Sequence, residues 1–181
     1  MEMKLTELEV KDFWQIYELM KVSFIKEEIR TYENGLEQLN KEEYRILISR
    51  NSQDVIAGFI AEWNFRSFVF LEHFAVRENM RGTGIGSEIL KAYLKKTSKP
   101  VVIEVEDNKT EIDRRRIDFY QRRGFFLSEF GYLQPVLRGD ANKKIPLRIM
   151  SYPEALSAER YRQFKKTVFE KIYKEDDELC E

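Results

Sequence analysis

The chain has 181 residues, 43% of them apolar and 13% aromatic, which is enough for one domain with a sizeable core. Lys and Arg (31) nearly balance Asp and Glu (32), for a formal charge of -1. That balance argues against nucleic acid as the main partner, which needs a basic face, but it allows a local basic site for a small anion.

The opening segment, MEMKLTELEV, has no apolar h-region and no cleavage signature. No apolar run reaches the roughly 18–20 residues that cross a bilayer. A single cysteine, Cys180, makes no internal disulfide. A cytoplasmic protein with no membrane partner is therefore expected, and Cys180 sits too near the end of the sequence to be held as a nucleophile.

Asp12 is a candidate N-cap for a helix with Phe13, Ile16, Tyr17, Met20 and Phe24 on one side. A second helical stretch, Tyr32 to Asn40, has an acidic surface. The period then changes. Tyr44 to Ser49, Val55 to Asn64 and Phe68 to Val76 read as three strands joined by short links, hence an antiparallel meander. Arg81-Gly82-Thr83-Gly84-Ile85-Gly86-Ser87 leads into a helix whose Ile85, Ile89, Leu90, Tyr93 and Leu94 share a face and which stops before Pro100. Val101 to Val105 is a short apolar run suited to a buried strand. The strand–helix–strand unit from Phe70 to Val105 predicts a right-handed crossover between parallel strands. Asp113 to Arg123 reads as a helix closed by Gly124, Phe125 to Phe130 and Leu147 to Tyr152 as strands, and the last helix carries Tyr161, Phe164, Val168 and Ile172. The order is that of a mixed α+β fold.

Three glycines in five residues between a strand and a helix make an anion site. They let backbone N–H groups converge without a Cβ in the way, the helix N-terminus adds partial positive charge, and Arg81 adds a full one. The Walker loop is excluded because Gly86-Ser87 lacks the lysine. The dinucleotide fingerprint is excluded because Gly82, Gly84 and Gly86 are spaced by one residue. What remains is R-x-x-G-x-G. The stretch LEHFAVRENMRGTGIGSEIL resembles the acetyl-CoA motif of GNAT N-acetyltransferases, and IDFYQRRGF resembles that family's later helix-and-glycine segment. The resemblance covers roughly Leu5 to Tyr152. The tail segments YLQPVL and PLRIMSYPE also look like a less characterised bacterial subgroup.

The resemblance implies a mostly antiparallel central sheet with one parallel, splayed strand pair, flanked by helices. It implies one acetyltransferase domain over 1–153, with a C-terminal helix over 154–181 packed on or extending from it. It implies acetyl-CoA as cosubstrate and no metal. The pantetheine would pair with backbone groups of Phe74, Ala75 and Val76. The phosphates would be held by Arg81, Gly82, Thr83, Gly84, Ile85, Gly86 and Ser87. Asp113 stands where the family often has an asparagine that touches the coenzyme. Tyr120 stands where a family tyrosine lies near the thioester sulfur and can protonate the leaving thiolate.

Glu72 is the candidate base. Simple alternation puts Phe70, Glu72, Phe74 and Val76 on one strand face, and one carboxylate on an apolar face is costly unless paired or used. Pairing with an arginine, or facing solvent, is the competing reading. His73, the only histidine, should point to the opposite face, as a hydrogen-bonded sheet residue without metal-ligand partners. The resemblance implies an acceptor wall from the N-terminal helices and the loop before the last strand, which here offer Phe24, Glu27, Glu28, Arg30, Tyr32, Tyr132 and Gln134. Arg114, Arg115, Arg116, Arg122 and Arg123 read as a solvated helix face that could spare a residue for phosphate. The expected activity is acetyl transfer to a primary amine of a small molecule. A protein lysine or N-terminal acetyltransferase and a non-catalytic acyl-CoA-binding module remain alternatives, and a homodimer is compatible with the sequence.

Overall fold

The computed structural model describes residues 3–174, and the chain divides after Lys99 into two compact units. In the first unit an antiparallel sheet runs β1 (Thr6–Glu7), β2 (Tyr44–Arg50), β3 (Ile56–Asn64) and β4 (Val69–Val76). The meander β2–β3–β4 follows the expected order. β1 was not foreseen; its two residues are both exposed, so it leaves no alternation to read.

β3 is buried from Ile56 to Trp63, because both faces of the sheet are covered. Alternation puts Ala61 and Trp63 on one face, Ile60 and Glu62 on the other. The first face meets α1 (Phe13–Ser23) and the segment leading into α2 (Tyr32–Gln38): the Phe24 ring lies 4.7 Å from His73, which pairs with Ala61, and Arg30 lies 5.9 Å over Trp63. The second face meets α3 (Ile85–Lys96), whose Ile89, Leu90, Ala92 and Tyr93 are buried. There Glu62, fully buried, accepts from Arg45 Nε at 2.6 Å and from the Tyr93 hydroxyl, so the sheet buries no unpaired charge at this point. Asp12 does stand at the N-cap of α1 but makes no side-chain cap; its carboxylate accepts from Arg50 at 2.9 Å and Gln15 at 3.1 Å.

In the second unit β5 (Val101–Glu106) and β6 (Phe126–Pro135) both pair antiparallel with β7 (Lys144–Tyr152). α4 (Glu111–Gln121) packs on β5 and β6. It starts two residues before the expected Asp113 because Thr110 supplies the cap: Asp113 N donates to Thr110 Oγ1 at 3.1 Å, and Thr110 N donates to Asp113 Oδ2 at 2.8 Å. Gly124, at φ +86°, follows its last turn as the sequence predicted. α5 (Ala158–Val168) runs into a π-helical turn, Phe169–Tyr173. Its apolar stripe is Phe164, Val168, Phe169 and Ile172, and the π turn adds Phe169 to the expected set. Tyr132 of β6 lies 6.2 Å from Phe164 and 5.2 Å from Phe169, while Tyr161 stays partly exposed and donates to Gly131 O at 2.8 Å. No helix among the described residues is long and apolar enough to cross a membrane. Cys180 lies outside the described residues.

Candidate active site

After β4 the chain makes a short 3-10 turn, Glu78–Met80, and enters the glycine loop. Gly82 and Gly84 take φ of +76° and +88°, left-handed values that an L side chain rarely adopts. Beyond its own chain neighbours, neither has an atom within 4 Å of the place where a Cβ would sit, so the space beside the loop at these positions is open. Gly84 is the N-cap of α3 and makes no side-chain cap, which leaves the first-turn amides to an outside acceptor. Arg81 Nε donates to Val76 O at 3.0 Å and its guanidinium reaches Ser23 Oγ at 3.2 Å. Those bonds fold the loop back against the end of β4. Thr83 Oγ1 donates to Met80 O at 2.7 Å, closing the turn from within. The loop residues from Arg81 to Gly84 are exposed; Ile85, Gly86 and Ser87 are half-buried as the helix begins. Uncapped backbone donors at a helix start, with an arginine pinned beside them, suit a phosphate-bearing ligand.

On β4 the expected alternation is broken. Ala61 pairs with His73 and Glu62 with Leu71, so Glu72 has no residue opposite it and forms a β-bulge. The register therefore puts Phe70 on the face of His73 and Ala75, while Phe74 and Val76 share the opposite face with Leu71. Glu72 and His73, expected on opposite faces, both turn toward the segment before α2. Arg30 Nη1 and Nη2 donate to Glu72 Oε2 and Oε1 at 2.9 and 2.8 Å, a bidentate pair with side chains 10% and 2% exposed. His73 Nε2 donates to Glu28 O at 2.9 Å; its Nδ1 stands 3.4 Å from Glu72 Oε2, long for a hydrogen bond.

Burial alone would raise the Glu72 carboxyl, but the Arg30 charge, aided by His73, outweighs it and holds the group well below the usual carboxylate range. Such a carboxylate is a poor direct base. Beside the pair is a cavity of about 10 Å³, room for about one water, to which Tyr17, Arg30, Tyr44 and His73 contribute.

In the second unit, Tyr120 is buried on α4, with the Phe119 and Phe125 rings 5.2 and 5.3 Å away. Burial pushes its phenol up to about 12; the Arg116 and Arg123 charges oppose that and Glu106 adds to it. It is protonated at neutral pH. The Asp113 carboxylate is engaged in the capping box, so its observed role is to start α4. Most of the arginine cluster has local partners: Arg115 on Glu111, Arg116 on Glu106, Arg122 on Asp118 O, and Arg123 on Phe119 O with its guanidinium 3.7 Å over the Phe119 ring. Among the described residues no group of three or more His, Cys, Asp or Glu is placed to hold a metal ion.

The sequence model of the Acetyltransferase (GNAT) family matches residues 12–125. The Bacillus subtilis (strain 168) protein YjbC, assigned as an acetyltransferase, is 32% identical over 117 residues, 63% of this chain; the match spans only 60% of that relative's length. A solved structure from Bacteroides thetaiotaomicron, assigned to the GNAT acetyltransferases, is 31% identical with a TM-score of 0.84 and covers 94% of this chain and 98% of its own. The ribosomal-protein-S18-alanine N-acetyltransferase of Escherichia coli is 16% identical with a TM-score of 0.63, over 86% of this chain and 96% of its own, a likeness of fold alone. The mixed α+β class read from the sequence, with mostly antiparallel strands, is thereby borne out.

Proposed function

The chain belongs to the GNAT acetyltransferase family, and from that premise we propose that it moves an acetyl group from acetyl-CoA to a primary amine of a small molecule. The observation that carries the reading is the open glycine loop at the start of α3. Its left-handed Gly82 and Gly84 leave open space beside the start of the helix, where a diphosphate would be neutralised. In this reading Gly82 to Ser87 bind the pyrophosphate, and Arg81 fixes the loop and adds charge. Phe74, Ala75 and Val76 lend backbone groups to the pantetheine.

The chemistry is direct transfer. The neutral amine nitrogen attacks the thioester carbonyl carbon, a C–N bond forms, the C–S bond breaks, and the amine gives up one proton. The leaving thiolate gains one. Tyr120 carries a proton at neutral pH and donates it, or a hydrogen bond, toward the departing sulfur. A phenol near 12 is a weaker acid than an ordinary thiol near 8.5, so complete transfer is uphill and hydrogen bonding is the larger part of its help. Glu72, pinned by Arg30, shapes the acceptor side and its field instead of taking the amine's proton directly.

The test is release of free coenzyme thiol by the purified chain with a panel of amines, polyamines, amino acids and lysine peptides. Turnover with small amines and none with peptides is expected. Turnover confined to peptides would overturn the small-molecule reading, and acetyl-CoA binding without turnover on any acceptor would favour a non-catalytic module.

A further inference from the structure

Glu104 lies in the middle of β5, and its carboxylate is bonded by two phenols. Tyr132 of β6 donates to Oε1, and Tyr173 donates to Oε1 at 3.0 Å and Oε2 at 3.2 Å. Gln134 Nε2 in turn donates to the Tyr173 oxygen at 2.8 Å. A phenol has one proton. Because Tyr173 gives its proton to the carboxylate, the stronger acceptor, it can only accept from Gln134. That fixes the amide orientation, with Nε2 on Tyr173 and Oε1 turned away. Gln134 is 4% exposed, and its Oε1 is buried with no hydrogen-bond partner among the described residues. A buried acceptor without a donor marks the place of a missing donor. A carboxylate bridged to that amide by one phenol favours a donor that carries positive charge.

The backbone around the cluster supports a site. Tyr173 comes from the last position of the π-helical turn that ends α5, followed by Lys174 at φ +56°. Such turns are frequent at functional sites. Burial first, and then the Glu104 charge, hold the Tyr132 phenol well above its ordinary value, so it stays a donor across the neutral range.

We propose that Gln134, Glu104 and Tyr173 bind an ammonium group of the acceptor other than the nitrogen that is acetylated, which makes the acceptor a cation and the C-terminal segment part of its site. The assignment deepens the acetyltransferase reading above and rests on it. The ammonium gives one N–H to Gln134 Oε1 and lies in the field of the Glu104 carboxylate, one phenol away. Tyr173 is a positioning residue that orients both oxygens.

The test uses the full chain and n-propylammonium as probe, with n-butanol as its uncharged counterpart, while the Gln134 side-chain amide resonances are followed by NMR. A saturable shift is expected with the ammonium and not with the alcohol, and Glu104→Gln should abolish it. No shift, an equal shift with the alcohol, or a shift retained in Glu104→Gln would overturn the assignment; an equal response would mean a neutral donor or water fills the place. Tyr173→Phe keeps the ring and guards against a variant that fails to fold. It should raise KM for the best amine by roughly tenfold while KM for acetyl-CoA stays unchanged. Probe binding in a chain that acetylates no amine would count against the catalytic reading alone. Turnover without any probe response would count against this assignment alone.

Discussion

Glu72 shows how a pairing partner decides what a carboxylate can do. Buried alone, it would take a proton readily; held by Arg30 at 2.8 and 2.9 Å, it holds one poorly. Its folded value lies below the unfolded one near 4.3, so the pair's stabilisation is present above that pH and lost as the solution is acidified below it. Arg30→Gln removes the opposing charge and leaves burial. The sign then reverses, and stability falls as pH rises above about 4.3. We expect Arg30→Gln to cost about 3–5 kcal/mol at neutral pH, as for a broken buried pair, and the double variant Arg30→Gln/Glu72→Gln to recover part of it. Urea unfolding between about pH 4 and pH 7 reads both effects; a loss independent of pH would mean that Glu72 is not left charged and unpaired. Tyr120→Phe tests the second residue. Turnover should fall about tenfold, the low end for acid assistance, with acetyl-CoA affinity nearly intact. Equal loss in turnover and binding would make Tyr120 a coenzyme-positioning residue.

At the scale of elements, the glycine loop makes a prediction with a built-in control. Gly84→Asp puts a side chain and a negative charge into the space that faces the coenzyme, and it strains the backbone at φ +88°. Gly139 has an equally open left-handed site, φ +108°, on the polar loop before β7. Both substitutions carry backbone strain, but only Gly84→Asp should abolish acetyl-CoA binding in a calorimetric titration of folded protein. Loss in both, or in neither, would separate the loop from the coenzyme. This loop was legible in the sequence because its physics is local: glycine spacing, a strand before it and a helix after it. The same holds for α3, β5 and the Gly124 cap. The bulge at Glu72 was not legible, because one unpaired residue leaves the composition of a strand unchanged while turning its neighbours over. Nor was the Arg30–Glu72 pair, whose members stand 42 residues apart. Glu104 passed as one polar residue in an apolar strand; its role emerges only when Tyr132 and Tyr173 are brought to it from β6 and the end of α5.

At the scale of the whole molecule, the question is whether the chain after residue 153 is an appendage or part of the core. The second unit answers through burial. Phe164, Val168, Phe169 and Ile172 are each at most 7% exposed, and Tyr132 of β6 is covered by two of them. Burying each large apolar side chain is worth about 1.5–3 kcal/mol, so the four together contribute on the order of 6–12 kcal/mol before the entropy of ordering the helix is subtracted. That gross figure is comparable to the whole net stability of a typical domain, about 5–15 kcal/mol. Ending the chain at residue 153 also removes Tyr173 from Glu104 and leaves that carboxylate with one fewer donor in an apolar setting. We therefore expect the shortened chain not to fold cooperatively, and acetyl-CoA not to rescue it, since the lost contacts lie within the second unit while the glycine loop lies in the first. Thermal unfolding followed by circular dichroism, with and without acetyl-CoA, reads the outcome. A sharp transition within a few degrees of the full chain's would show that α5 is dispensable to the fold. Phe164→Ala in the full chain gives the graded version. A cost of about 3–5 kcal/mol is expected for a buried phenylalanine, and a much smaller one would mean the helix is held loosely.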